Sequence, residues 1–153
     1  MPIQPNIARL KKLLNRGPGL NGECTIHGYK RKVVNITAAK TLVEADSGVL
    51  FTINADASAY DITLPANATT GWHATFVLTN AHGSQDIDIV AATADTMQGI
   101  HIDASPTSIV LVDKITIVGG TALVGDRIEV VSDGTTWQCV TYSGANGGIT
   151  SSG

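Results

Sequence analysis

This sequence is poor in charged and in aromatic side chains. Charged side chains make up 15% of its 153 residues and aromatic ones 5%. Helical bundles rely on Lys, Glu and Arg along their solvated faces, so that class is excluded first. A chain with so few charges also implies that part of its surface is covered by something else. Two cysteines are present, Cys24 and Cys139, too few and too far apart for a disulfide framework, and Cys139 reads as a small core hydrophobe. No apolar run approaches the roughly 18–20 residues that a membrane-spanning helix needs. The basic N-terminal residues lead into no continuous apolar segment, so the sequence predicts no secretory signal and synthesis in a cytosol. Phosphate-cradling glycine patterns and a GxSxG elbow are absent as well.

What is present is β-forming. Hydrophobic residues reach 43%, enough for a real core, and 16 glycines accompany abundant Thr, Ala, Ser and Asp. The clearest element is residues 125–142, GDRIEVVSDGTTWQCVTY. Arg127, Glu129 and Val131 alternate with Ile128, Val130 and Ser132, the period of a half-buried strand. Asp133-Gly134 supplies a turn, and Trp137, Cys139 and Thr141 alternate with Gln138, Val140 and Tyr142 on the return. Upstream, VVNIT, TLVEA, VLFTIN, AYDITLP, WHATFVLTN, DIDIVAA, MQGIHID, SIVLV and KITIV read as further short strands. In WHATFVLTN, Trp72, Ala74, Phe76 and Leu78 form one face. Spacing of 8–12 residues between turns predicts an all-β, antiparallel sandwich or barrel, jelly-roll-like, over residues 33–142. Residues 143–153 lack an apolar period and are expected to form a flexible Gly/Ser-rich tail.

Charge is also unevenly placed. Residues 1–40 carry eight basic side chains against the single acid Glu23, a net of +7. Residues 41–153 carry two basic side chains against twelve acids, a net of −10. The sequence thus divides into a basic arm, residues 1–32, and an acidic body, and such an arm points to an acidic partner. Asn6 can cap a short helix over residues 7–16, closed by Gly17-Pro18. Ile7, Leu10, Leu13 and Leu14 then share one face, opposite Arg9, Lys12 and Arg16. A helix of about ten residues is not stable alone in water. Burying its four aliphatic side chains yields at most ~6–12 kcal/mol before ordering costs, so docking on a protein surface is the expected role. Tyr29, Lys30, Arg31 and Lys32 form a second basic cluster. A nucleic-acid partner would call for a wider basic surface than one arm, and neither nucleic acid nor a membrane is the expected partner.

Three constellations compete with a purely structural role. Asp86 and Asp88 share one strand face, as do His101 and Asp103, but solvated charges on an edge strand are commoner than a metal site. Trp72, Trp137, Tyr60 and Tyr142 would stack on sugars if exposed, and would be core anchors if buried. Serines fall in turns rather than in nucleophile motifs. No cofactor, small-molecule substrate or enzymatic activity is expected.

Residues 36–80 resemble a pattern of tailed-phage structural proteins: an opening lTaadsG at Thr37 to Gly48, a short apolar strand at Val49 to Asn54, a vtLP strand at Ile62 to Pro65, and a G..f.f strand at Gly71 to Phe76. The GDRIEVVSDGTTW hairpin resembles the second half of that pattern. The resemblance covers roughly residues 37–148 and is to capsid decoration (cement) proteins and head-fibre bases, with tail-fibre domains also similar. It implies a homotrimer on the outer surface of the virion shell that binds the major capsid protein and stabilises the head. A basic arm would then supply the docking residues: Ile7, Leu10, Leu13 and Leu14 for contact area, with Arg9, Lys11, Lys12, Arg16 and the 29–32 cluster for charge pairing. A head-fibre or tail-fibre domain and a carbohydrate-binding module are the alternatives.

Overall fold

The computed structural model describes residues 30–54, 58–66, 69–80, 83–92 and 95–153. Two units divide the chain, Met1–Lys30 and Arg31–Gly153. Except for Lys30, the first unit lies outside the described residues, and so does the helix expected over residues 7–16.

Among the described residues the second unit contains twelve strands, one 3-10 turn at Glu44–Asp46 and no α-helix. They are β1 (Val33–Ile36), β2 (Lys40–Thr41), β3 (Leu50–Ile53), β4 (Tyr60–Thr63), β5 (His73–Leu78), β6 (Ile87–Val90), β7 (Met97–Ile102), β8 (Thr107–Val112), β9 (Lys114–Ile117), β10 (Arg127–Ser132), β11 (Trp137–Tyr142) and β12 (Ile149–Ser152). A seven-stranded sheet has the order β1-β3-β5-β10-β11-β7-β8, and a five-stranded sheet the order β12-β9-β6-β4-β2.

Alternation places the core. Phe51 and Ile53 of β3, Ala74, Phe76 and Leu78 of β5, Ile128 and Val130 of β10, and Trp137 and Cys139 of β11 are buried from the larger sheet. Ile62, Ile87, Ile89, Ile115, Ile117 and Ile149 are buried from the smaller one, and all belong to one apolar cluster. Phe51 stacks on Phe76 with ring centroids 5.3 Å apart. Trp72 meets Trp137 edge to face at 5.2 Å, a favoured arrangement for two ring quadrupoles. Cys139 is a core residue as expected, and burial pushes its thiol up to about 12.

The pairing corrects one expectation. The sheets are mixed rather than antiparallel: β1–β3, β3–β5, β2–β4, β4–β6 and β11–β7 are all parallel. From β1 to β6 the chain alternates between the two sheets, so each return to a sheet lays a strand parallel to the previous one. Parallel neighbours need a long crossover, and here a strand of the opposite sheet is that crossover. The remaining pairings, including the β10–β11 hairpin, are antiparallel.

Two shorter expectations are also corrected. TLVEA is not a strand; Lys40–Thr41 pairs briefly with β4, and Glu44–Asp46 turns. Residues 143–153 are not wholly a flexible tail, because Ile149–Ser152 forms β12 on β9 and Ile149 is buried. One apolar residue flanked by small polar ones carries no period, so pattern alone could not reveal that strand.

Glycine is required at one interior position. A Cβ on Gly99 of β7 would collide with the backbone carbonyl of Cys139 on β11, so only glycine lets those two strands pair there.

His101 joins the sheets. Its Nδ1 lies 2.7 Å from Thr141 Oγ1 on β11, and its Nε2 lies 3.0 Å from Ser151 Oγ on β12. Burial lowers its pKa below the ordinary 6.5, against an opposing pull from Asp103. The unfolded chain therefore takes up a proton as pH falls through 6.5 while the folded chain resists it, so this residue favours folding fully above 6.5 and progressively less below it. The denaturant midpoint is expected to fall from pH 7 to pH 5, and His101→Gln to remove part of that slope. Identical slopes in the two proteins would contradict this assignment.

Candidate interaction surface

The outward faces of the two sheets differ in chemistry. On the seven-stranded sheet one cross-strand row runs Val33, Leu50, Thr75, Glu129, Val140, Ile100. The next row runs Asn35, Thr52, Val77, Arg127, Tyr142, Ile102, and on the other side of the first row lies His73, Val131, Gln138, Gln98. Val33, Ile100, Ile102 and, beside the first row, Val131 are exposed apolar residues. Arg127 and Glu129 largely cancel each other: Nε and Oε1 are 3.3 Å apart, and the guanidinium lies 4.6 Å from the centroid of the Tyr142 ring. The face thus carries exposed aliphatic side chains among uncharged polar ones and is close to neutral.

The five-stranded sheet is polar outside. Thr150, Thr116, Asp88 and Asp61 follow one another across β12, β9, β6 and β4. Asp88 accepts from Lys114 Nζ and from Thr116 Oγ1, each at 2.6 Å. Asp88, Asp61 and Asp86 together raise the Lys114 pKa, the Asp88 hydrogen bond contributing most. β6 lies between β9 and β4, so the expectation of a charged edge strand is corrected. Asp88 holds a lysine from the next strand, and Asp86 accepts from the Gly119 amide at 2.8 Å. Among the described residues no group of three or more His, Cys, Asp or Glu side chains could hold a metal ion.

A recess of about 490 Å³ opens at the ends of β7 and β11, lined by Ile102, Asp103, Tyr142, Leu123 and Val124 over a floor of residues 125, 126, 143 and 144. A buried carboxylate builds it. Asp126 is 4% exposed. It accepts from the Leu123 amide at 3.0 Å, the Gly144 amide at 2.8 Å and Ser143 Oγ at 2.8 Å. The loop carrying Leu123 and Val124 is therefore fixed against the segment that follows β11. Leu123 and Val124 are 50% and 60% exposed. Their sequence signal is an apolar pair immediately before Gly125-Asp126, outside any alternating run.

Nine of the twelve arm residues singled out by sequence (Ile7, Arg9, Leu10, Lys11, Lys12, Leu13, Leu14, Arg16 and Tyr29) lie outside the described residues. Lys30 and Lys32 are exposed. Arg31 bonds within its own unit: Nε donates to Gly48 O at 3.1 Å, and Nη2 to Val49 O at 3.2 Å and Thr75 Oγ1 at 3.1 Å. It latches the start of β1 to β3 and β5. The aromatic set is not a sugar platform, because Trp72 and Trp137 are each 2% exposed. Tyr60 is buried too, its hydroxyl donating to Ile36 O at 3.2 Å, and desolvation pushes its pKa up to about 12.

The sequence matches no protein-family model and no curated protein.

Removing the carboxylate strands three donors, two of them amides. Asp126→Ala is expected to cost about 2–4 kcal/mol in denaturant unfolding, and Asp126→Asn less, since one acceptor oxygen remains. Faster hydrogen exchange at the amides of Leu123 and Gly144 should accompany the alanine variant. Unchanged stability and exchange would show that the recess is held by something else.

Proposed function

We propose that the chain is a structural protein of a virus particle, a capsid decoration (cement) protein of the tailed-phage kind. Its two mixed sheets form a β-sandwich that associates as a homotrimer, and its basic arm docks on the major capsid protein at the outer surface of the shell. The observation that carries this reading is the contrast between the two outward faces: one nearly neutral with exposed aliphatic side chains, the other polar and acidic. Exposed aliphatic side chains gathered on one face, and absent from the other among the described residues, are what a contact with other subunits would cover. An assembly protein turns that face to other subunits and leaves the polar one to solvent. The resemblance of residues 37–148 to phage structural proteins supplies the kind of assembly.

Charge segregation supports the division of labour. The basic arm suits an acidic shell surface. Three modest arms on one trimer act together, so that each can be weak while the whole holds firmly. The reading requires no catalytic group and no cofactor.

Co-sedimentation with undecorated capsid shells tests this function. Full-length protein is compared with protein lacking residues 1–29, a truncation that keeps the Arg31 latch. The full chain should pellet to a saturable stoichiometry, the truncated chain should lose most of that binding, and added salt should weaken the remainder. Equal binding by both proteins would remove the arm from the mechanism. Failure of both to bind would remove the capsid role.

A further inference from the structure

Strand β8 lies at the edge of the seven-stranded sheet and carries a bulge. Met97 pairs with Val112 and Gly99 with Ile109, so Val110 and Leu111 together stand opposite the single residue Gln98. Both apolar side chains are turned outward, 67% and 60% exposed. Leu111 also has φ of +46°, and no other non-glycine residue among those described has positive φ. Folding of one chain does not explain a leucine there. The left-handed conformation favours Gly or Asn, and the side chain gains little burial in return. A strained, exposed, apolar knob is what an intermolecular contact explains.

The same molecule contains an open recess with room for such a knob. In the recess beside Ile102 and Tyr142, the carboxylates already have partners: Asp126 accepts from Leu123, Ser143 and Gly144, while Asp103 accepts from the Ser105 and Gly147 amides. Apart from Tyr142, what remains free to recognise another molecule is aliphatic, chiefly Leu123 and Val124. Its volume of about 490 Å³ exceeds that of two branched aliphatic side chains. Knob and hollow sit at opposite ends of β7, by Gln98 and Ile102 respectively, so one copy cannot fill its own recess.

We propose that Val110 and Leu111 of one copy insert into the Leu123–Val124 recess of the next, making a head-to-tail contact between copies of this chain. Two different patches form a heterologous interface, which closes into a ring when its rotation permits. The trimer of the proposed function is such a ring, and the inference rests on that reading only for the existence of a closed oligomer.

Disulfide trapping in the full chain tests the contact. Cys24→Ser removes one native thiol, and Cys139 is buried with its pKa pushed up to about 12, so it stays inert. In that background Leu111→Cys and Val124→Cys are made singly and together, then oxidised with copper phenanthroline. The double variant should give a covalent ladder ending at one closed size. An equimolar mixture of the single variants should give cross-linked pairs, and neither single variant should link to itself. Leu111→Gly supplies a second reading that a purely structural role would not produce. At dilution, where both chains are monomeric, its thermal midpoint should equal or exceed that of the native chain, because strain is relieved, while the dissociation constant of the oligomer rises about tenfold or more, as loss of one buried aliphatic anchor predicts. Self-linking of Leu111→Cys, an oligomer that the double variant fails to trap, or a full chain that stays monomeric would each overturn the proposal. Capsid pelleting is read separately: shells that take up a monomeric chain would leave the capsid role standing and remove only this contact.

Discussion

The seven-stranded sheet depends on one hairpin. β10 bonds outward to β5 and β11 bonds outward to β7, so everything on either side is joined through the β10–β11 ladder. On one flank lie the parallel strands β1, β3 and β5, laid down as the chain alternates between sheets. On the other lie β7 and β8, with β8 passing directly to β9 of the smaller sheet through Asp113. The turn that sets the hairpin register is held by Asp133. Its carboxylate accepts from the Thr136 and Thr135 amides at 2.7 and 2.8 Å and from Gln138 Nε2 at 2.8 Å. Those bonds, with the Thr136 one foremost, keep the carboxyl below its ordinary range. Gly134 follows at φ of +93°, a conformation that glycine adopts freely.

From that ladder the rest follows by alternation. Ile128, Val130, Trp137 and Cys139 point inward and meet Ala74 and Phe76 on one side and Met97 on the other. The opposite side chains, Arg127, Glu129, Val131, Gln138, Val140 and Tyr142, fall on the outward face that carries the functional reading. One strand pair thus sets both the core and the apolar exterior. A small number of charges on that exterior is therefore a property of the fold's busiest sheet, and it accounts in part for the low charge of the whole sequence.

Local pattern made some of this legible and left other parts hidden. The hairpin, the inward set of Trp72, Ala74, Phe76 and Leu78, and the buried Cys139 all follow from a period of two. Strand direction does not, because alternation reports which face is wet and not which neighbour is bonded. Asp86 and Asp88 look like a charged edge on pattern alone, yet β6 is an inner strand, and Lys114 arrives from another strand to pair with Asp88. β12 was hidden because its buried residue, Ile149, stands alone among small polar ones. The recess and the β8 bulge were least legible. One depends on a carboxylate gathering donors from two separate segments, and the other on a one-residue mismatch between strands.

Whether the apolar exterior is a contact surface is the central claim, and sedimentation equilibrium of the full chain tests it most directly. Three proteins suffice: the native chain, Ile100→Lys on the outward face of the seven-stranded sheet, and Thr150→Lys on that of the five-stranded sheet. Both substituted positions are exposed, so each variant should fold. The native chain and Thr150→Lys should sediment as trimers, and Ile100→Lys as a monomer. A native monomer, or a trimer indifferent to Ile100→Lys and broken by Thr150→Lys, would contradict the account.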